Sequence, residues 1–131
     1  MREILPVSLV AVFGAVGAVS RYLVSGWAYQ LLGARFAYGT LAVNVIGCFL
    51  LALLVQVVES DFNLSPHLRT ALAIGFLGAF TTFSTFGYET FYYAQERAWL
   101  LAILNVLANL VFGLLAVWVG FIAGRALVGG A

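Results

Sequence analysis

Charged and metal-binding side chains are scarce in this 131-residue chain. It has no lysine, six arginines and five acidic residues, and only 8% of its residues are charged. A soluble domain carries about 25% charged residues, so this composition is typical of a membrane protein. The single cysteine, Cys48, excludes an intramolecular disulfide, and with only one histidine, His67, a His/Cys metal site is excluded too.

The remaining polar residues also exclude two classes of function. The six arginines are scattered singly along the chain, which gives no basic patch for nucleic acid. A nucleophile with its base, or a cluster of metal ligands, cannot be assembled from the acids, the histidine and the cysteine. We therefore predict a protein that is not an enzyme and binds no nucleic acid.

The chain does have long apolar runs. Four of them, residues 4–32, 36–58, 68–93 and 100–128, each exceed the about 20 residues that cross a hydrocarbon core. The first is longer than the about 7–15 apolar residues of a signal peptide, so we interpret it as a retained helix. The sequence predicts one all-α integral membrane domain over residues 1–131, multi-pass in the inner (plasma) membrane.

The third run contains an unusual segment, Gly75–Glu89. It combines three glycines, five hydroxyl side chains, four phenylalanines and one carboxylate. Glycine and threonine both weaken a helix interior, so a break is predicted near the centre of this run, between Gly78 and Ser84. Backbone groups freed inside a membrane must be satisfied by protein, ions or trapped water. The segment is therefore the candidate functional site.

Arg21 lies well inside the first apolar run. A guanidinium there is costly unless it reaches the headgroups or is paired. Two interpretations stay open: the side chain snorkels to the near headgroups, or it has a buried structural or ion-attracting role. In the second case its partners would be Glu89 or the carbonyls freed by the break.

Polar residues on the second and fourth runs follow helical spacing. Thr40, Asn44 and Gly47 share one face of a helix, and Asn105 and Asn109 are separated by one turn. A buried amide must be hydrogen-bonded. Asn44 therefore either holds helices together or donates N–H bonds towards a pathway, and Asn105 and Asn109 form a polar stripe on an otherwise apolar helix.

The arginines are nearly balanced between the two membrane sides. Four crossings put Arg2, Arg69 and Arg125 on one side and Arg35 and Arg97 on the other. Because arginine asymmetry sets the direction of insertion, this chain is predicted to insert both ways. We expect an antiparallel, dual-topology homodimer with a two-fold axis in the membrane plane.

Three motifs together carry a family resemblance. They are Gly75–Phe86 in the third run, Gly39–Asn44 in the second and Gly17–Tyr22 in the first. Nearly the whole chain closely resembles the Fluc (CrcB-type) fluoride channels. The resemblance implies passive export of cytoplasmic fluoride by a dual-topology dimer with two antiparallel pathways and a structural Na⁺ at its centre.

The resemblance also implies roles for individual residues. The backbone carbonyls of Gly78 and Thr81, from both subunits, would hold the sodium ion. Aromatic rings carry a positive edge, and amides and hydroxyls donate hydrogen bonds, so such groups can offer an anion several weak sites. The expected anion pathway comprises Asn44, Phe83, Ser84, Thr85, Phe86, Asn109, Thr40 and Arg21. Asn109 departs from the family, which often has a small hydroxyl residue in this region.

Two other functions remain as alternatives. One is a small dual-topology, proton-coupled transporter of the multidrug type, which needs a membrane carboxylate in its first helix. Here the first run has only Glu3, at its edge. The other alternative is a membrane assembly subunit that transports nothing.

Overall fold

The computed structural model describes residues 4–59 and 64–129, which fold into helices joined by short turns. Helix α1 spans Ile4–Leu32 and α2 spans Tyr38–Glu59. Gly33 ends α1 with a φ of 84°, and its N–H donates to the Tyr29 carbonyl at 2.9 Å. Glycine adopts this left-handed conformation without a steric penalty, so the chain can turn sharply here.

The third span is divided into two helices. Helix α3 (residues 66–80) starts as an α-helix over Pro66–Thr70, continues as a π-helix over Ala71–Leu77 and ends with Gly78–Phe80. Helix α4 follows over Phe83–Gln95. The Leu68 N–H donates to the Ser65 hydroxyl, and Pro66 occupies the first turn, so α3 has a favourable N-terminus.

Helix α5 spans Trp99–Gly129 and completes the fold. Among the described residues, four spans are long and apolar enough to cross a membrane: Ile4–Leu32, Tyr38–Glu59, Pro66–Gln95 and Trp99–Gly129. The prediction of an all-helical membrane protein with four spans and a bend in the third is confirmed.

Contacts between the spans show their relative directions. Gly17 packs on Phe76 and Tyr29 bonds Glu89, so α1 and the third span run parallel. Thr40 bonds Glu89 whereas Asn44, one turn later, bonds Thr82, so α2 runs antiparallel to the third span. Tyr29 of α1 and Thr40 of α2 thereby meet at the same residue of α4, Glu89.

Close packing at glycines holds the spans together. A Cβ at Gly17 would overlap the Phe76 carbonyl, and one at Gly120 would overlap the Phe49 carbonyl. Gly124 packs against Gln56 in the same way. Small residues let helix backbones approach in a membrane, where apolar side chains gain little by leaving lipid. Gly120 and Gly124 therefore let α5 pack closely on α2.

Apolar side chains cover most of the outside of the bundle, and several polar ones, such as Thr40 and Asn105, are buried inside it. Val43 and Asn105 are the largest fully buried side chains in the described part of the chain. Leu114, Trp118 and many other large apolar residues of α5 are exposed. This distribution suits a protein whose solvent is lipid rather than water.

Candidate functional site

The helix break falls at Thr81 and Thr82. Both residues are extended, with φ and ψ of −87° and 161° at Thr81 and −151° and 112° at Thr82. The Thr82 hydroxyl accepts the Thr85 N–H at 3.2 Å and so caps α4. This satisfies one of the donors that a helix start leaves open. The break lies inside the predicted interval, Gly78 to Ser84.

Asn44 replaces the helical hydrogen bonds that the break removes. Its Oδ1 accepts the Thr82 N–H at 2.8 Å, and its Nδ2 donates to the Thr82 carbonyl at 3.1 Å. The second hydrogen of Nδ2 goes to Asn109 Oδ1 at 3.0 Å. The amide therefore pairs with the extended backbone much as a neighbouring strand would, and all its donors are engaged.

Asn109 is held in turn by Asn105. Its Nδ2 donates to the Asn105 carbonyl at 3.0 Å and to Asn105 Oδ1 at 3.2 Å. Asn105 is 0% exposed. The two open interpretations of Asn44 are thus not exclusive, because its bond to Asn109 joins α2 to α5 and the same side chain also lines a cavity.

That cavity lies beside the break and has a volume of about 390 Å³. Six of the predicted site residues line it: Asn44, Gly78, Thr81, Phe83, Phe86 and Asn109. Its other lining residues are Gly47, Cys48, Leu51, Ala73, Leu77, Thr82 and Leu110. The structure therefore brings together the aromatic pair, two amides and the predicted carbonyls. Arg21, Thr40, Ser84 and Thr85 are not among its lining residues.

Phe83 and Phe86 form an aromatic pair at the start of α4. Their ring centroids are 5.4 Å apart with an angle of 55° between the planes. Phe83 is 82% exposed, whereas Phe86 is half-buried. Tilted rings present C–H edges, which carry partial positive charge, to a neighbouring group.

Three hydroxyl groups cluster at the N-terminus of α4. Thr82 Oγ1 donates to Thr85 Oγ1 at 2.9 Å and lies 3.4 Å from Ser84 Oγ. Ser84 and Thr85 are exposed beside Phe83. Helix N-termini carry partial positive charge, so this end of α4 favours anions over cations.

Arg21 contacts the break rather than Glu89. Its Nη1 donates to the Thr81 carbonyl at 3.4 Å, and the side chain is half-buried. Of the two partners considered from the sequence, the structure gives the freed carbonyl. The bond is long, so it holds the guanidinium weakly.

Thr40 belongs to a separate cluster around Glu89. Its hydroxyl and that of Tyr29 both donate to Glu89 Oε1, at 2.9 and 3.1 Å. The other carboxylate oxygen, Oε2, is buried and has no hydrogen-bond partner among the described residues. This cluster ties α1, α2 and α4 together one helical turn from Asn44.

The two carbonyls predicted to hold sodium differ in their surroundings. In a continuous helix the Thr82 N–H would donate to the Gly78 carbonyl. Here it donates to Asn44 instead, so the Gly78 carbonyl oxygen is freed. The Thr81 carbonyl accepts from Arg21, but a carbonyl has two lone pairs. Both oxygens therefore fit a hard cation. Within residues 4–59 and 64–129, no group of three His, Cys, Asp or Glu side chains forms a metal site.

Two members of the site were not identified as such from the sequence. Thr82 caps α4 and pairs with Asn44, and the preference of threonine for helix N-caps was the available signal. Asn105 was recognised only as part of a polar stripe, and its link to Asn109 depends on how α5 rotates in the bundle. Spacing alone does not give that rotation.

Comparison with known proteins now identifies the family. The family described as CrcB-like protein, Camphor Resistance (CrcB), matches residues 8–121. The chain belongs to the CrcB family. A CrcB relative from Geobacter sulfurreducens, named a fluoride-specific ion channel FluC, is 51% identical over 118 residues, which cover 90% of this chain and 95% of the relative. One from Acidobacterium capsulatum with the same name is 49% identical over 119 residues, covering 91% and 95%.

Family membership bears on three of the predictions made from the sequence. The resemblance to the CrcB-type channels is confirmed. The CrcB relatives are named as ion channels, so the prediction that the protein is not an enzyme is confirmed as well. Together with the four apolar spans, the relatives indicate a multi-pass membrane protein.

Proposed function

We propose that this CrcB-family protein is a fluoride-selective channel that passively exports fluoride from the cytoplasm across the inner membrane. The observation that carries the proposal is the cavity beside the break, where an aromatic pair and two amides meet. Relatives with about half of their residues identical are named fluoride-specific ion channels. No covalent chemistry is involved.

The proposed anion pathway follows the polar groups of the third span. Phe83 and Phe86 offer C–H edges, and Asn44 and Asn109 offer amide dipoles at the cavity wall. Ser84 and Thr85 extend the line of hydroxyl donors along the start of α4. These groups are weak sites, and conduction needs several weak sites rather than a tight one. Arg21 and Thr40 flank this line, and Arg21 attracts the anion.

We propose that two copies assemble as an antiparallel homodimer. The near balance of arginines favours insertion in both directions. Phe83 is 82% exposed although it lines the cavity, so a second copy would enclose a site that one chain leaves open. In this assembly the Gly78 and Thr81 carbonyls of both copies would hold a structural sodium ion, which supplies positive charge at the dimer centre.

Anion efflux from reconstituted liposomes tests the channel. We expect wild-type vesicles to release fluoride, measured with a fluoride electrode, and to retain chloride under the same gradient. Phe83→Ile should abolish fluoride release while the dimer still assembles. Phe91→Ile is the matched control, because Phe91 is also an exposed phenylalanine of α4 but does not line the cavity.

The outcomes separate the alternatives. Flux that depends on a proton gradient and carries organic cations would favour the multidrug-type transporter, although the described residues of α1 include no acid and Glu3 lies outside them. No flux of any ion would favour a membrane assembly subunit. Wild-type flux in Phe83→Ile would disprove the pathway assignment.

Sodium dependence tests the cation proposal separately. Replacing Na⁺ by a larger organic cation during purification should lower the stability of the dimer and the fluoride flux together. Equal stability and flux with and without Na⁺ would disprove a structural sodium ion. The dimer's antiparallel topology can be checked by labelling single cysteines at both chain ends from one side of the membrane.

A further inference from the structure

The hydrogen bonds around the cavity continue beyond it and form one continuous series, which we call the hydrogen-bond chain. Asn105 Nδ2 donates to Thr90 Oγ1 at 2.9 Å, and that hydroxyl donates to the Phe86 carbonyl at 2.8 Å. Neither Asn105 nor Thr90 is among the residues that line the cavity. The complete chain, in the order of donation, is Thr82 N–H, Asn44, Asn109, Asn105, Thr90 and the Phe86 carbonyl.

The two ends of this chain fix its direction. It starts at the Thr82 backbone N–H, which can only donate, and ends at the Phe86 carbonyl, which can only accept. Every amide between them must therefore accept through Oδ1 and donate through Nδ2. A reversed Asn109 would set its Nδ2 against the Nδ2 of Asn44, with two donors facing each other.

The direction matters at the cavity wall, because Asn44 and Asn109 line it. A flipped amide exchanges its N–H and C=O groups, so the dipole that it presents to the cavity is reversed. Asn105 is fully buried and Thr90 is half-buried, and neither lines the cavity. They contribute to the orientation of Asn109, because Asn109 Nδ2 donates to Asn105 Oδ1 as well as to the Asn105 carbonyl, whereas Asn44 is oriented by the backbone of Thr82.

We propose that Thr90 and Asn105 are positioning residues for the anion pathway, which hold the side-chain amide of Asn109 in one orientation at the cavity wall. The proposal rests on the proposed function for its transport consequence. The hydrogen-bond chain itself requires only the geometry above. The hydrogen-bond chain and its effect on transport can therefore be tested separately.

The test compares two threonines that make the same local bond. Thr90 Oγ1 donates to the carbonyl four residues earlier, and Thr70 Oγ1 does the same to Pro66 at 3.1 Å. Thr90 also accepts from Asn105, a bond that Thr70 lacks among the described residues. Thr90→Val removes the end of the chain with little change in shape, Thr70→Val is the matched control, and Thr90→Ser restores the hydroxyl.

Single-vesicle fluoride efflux distinguishes positioning from folding. Thr90→Val should lower the rate in each active vesicle about fivefold to tenfold, as expected when neutral hydrogen bonds are lost, without lowering the fraction of active vesicles. Thr90→Ser should recover at least half of the rate, and Thr70→Val should match the wild type. A loss confined to the fraction of active vesicles would overturn the proposal, as would a wild-type rate in Thr90→Val.

A second measurement does not depend on transport. In protein labelled with ¹⁵N-asparagine, the side-chain NH₂ group of Asn109 should exchange with D₂O at least severalfold faster in Thr90→Val than in Thr70→Val. Equal exchange would overturn the hydrogen-bond chain. Absence of fluoride flux from the wild type would instead overturn the proposed function, and with it the transport role, whatever the exchange rates.

Discussion

Two polar clusters lie one helical turn apart on α2, and they satisfy their hydrogen bonds to different degrees. Around Asn44, every amide donor of Asn44 and Asn109 has an acceptor. Around Thr40, two hydroxyls donate to one oxygen of Glu89, and its other oxygen has no partner in the described part of the chain. The first cluster satisfies all of its amide donors, whereas the second leaves one carboxylate oxygen without a donor among the described residues.

The difference follows from the side chains involved. An amide both donates and accepts, so amides can be linked into a chain of any length. A carboxylate only accepts when it is ionised, and each of its oxygens needs a donor from elsewhere. Neutral amides can therefore replace the backbone hydrogen bonds that a broken helix loses inside a membrane. A carboxylate in the same place still needs hydrogen-bond donors for each of its oxygens.

Loss of Asn44 should have the largest effect. Asn44→Leu leaves both backbone groups of Thr82 without partners, so we expect a loss of about 3 kcal/mol in unfolding free energy. Fluoride efflux should be abolished as well. Titration with denaturing detergent measures the stability, and Gln56→Leu is the control, because that amide makes an exposed bond on the same helix. Equal stability of the two variants would show that the break does not depend on Asn44.

Removal of the Glu89 carboxylate should cost less. Glu89→Leu leaves the Tyr29 and Thr40 hydroxyls without their acceptor, for an expected loss of about 2 kcal/mol. Glu89→Gln keeps one oxygen for both donors, so its stability should lie within about 1 kcal/mol of the wild type. The same titration checks both variants. A Gln variant as unstable as the Leu variant would show that the second oxygen has a partner that matters.

Removal of single donors to Glu89 should have smaller effects that do not add. Tyr29→Phe and Thr40→Val each remove one hydrogen bond to the same oxygen, for about 1 kcal/mol apiece. Because the two donors share an acceptor, the double variant should differ from the sum of the single losses by at least about 0.5 kcal/mol. A double-mutant cycle measures this, and strict additivity would mean that the two hydroxyls act independently.

The Arg21 contact should contribute least to stability. Its bond to the Thr81 carbonyl is 3.4 Å long and only part-buried, so Arg21→Gln should cost about 0.5 kcal/mol or less. Unfolding of the variant in the same detergent titration checks this value. A loss as large as that of Glu89→Leu would place Arg21 among the residues that hold the break together.

Several features were predictable from local sequence. The break at Thr81 and Thr82 follows from glycines and hydroxyl residues with poor helix preference. The shared face of Thr40, Asn44 and Gly47 follows from helical periodicity, and all three contact the third span. For a buried Arg21, the sequence narrowed the partner to Glu89 or the carbonyls freed by the break. Neither choice could be preferred, because both lie on the third span and the distance depends on helix packing.

Apolar length and helix preference are properties of the chain alone, so they were enough to predict a membrane protein of four spans with an interrupted third span. Three further features come from helix packing: the Thr82 backbone pairs with Asn44, Asn109 bonds Asn105, and Glu89 Oε2 has no hydrogen-bond partner within residues 4–59 and 64–129. These outcomes depend on the rotation and register of packed helices. Gly17 and Gly120 set how closely the helices approach, and no local pattern encodes which donor then faces which acceptor.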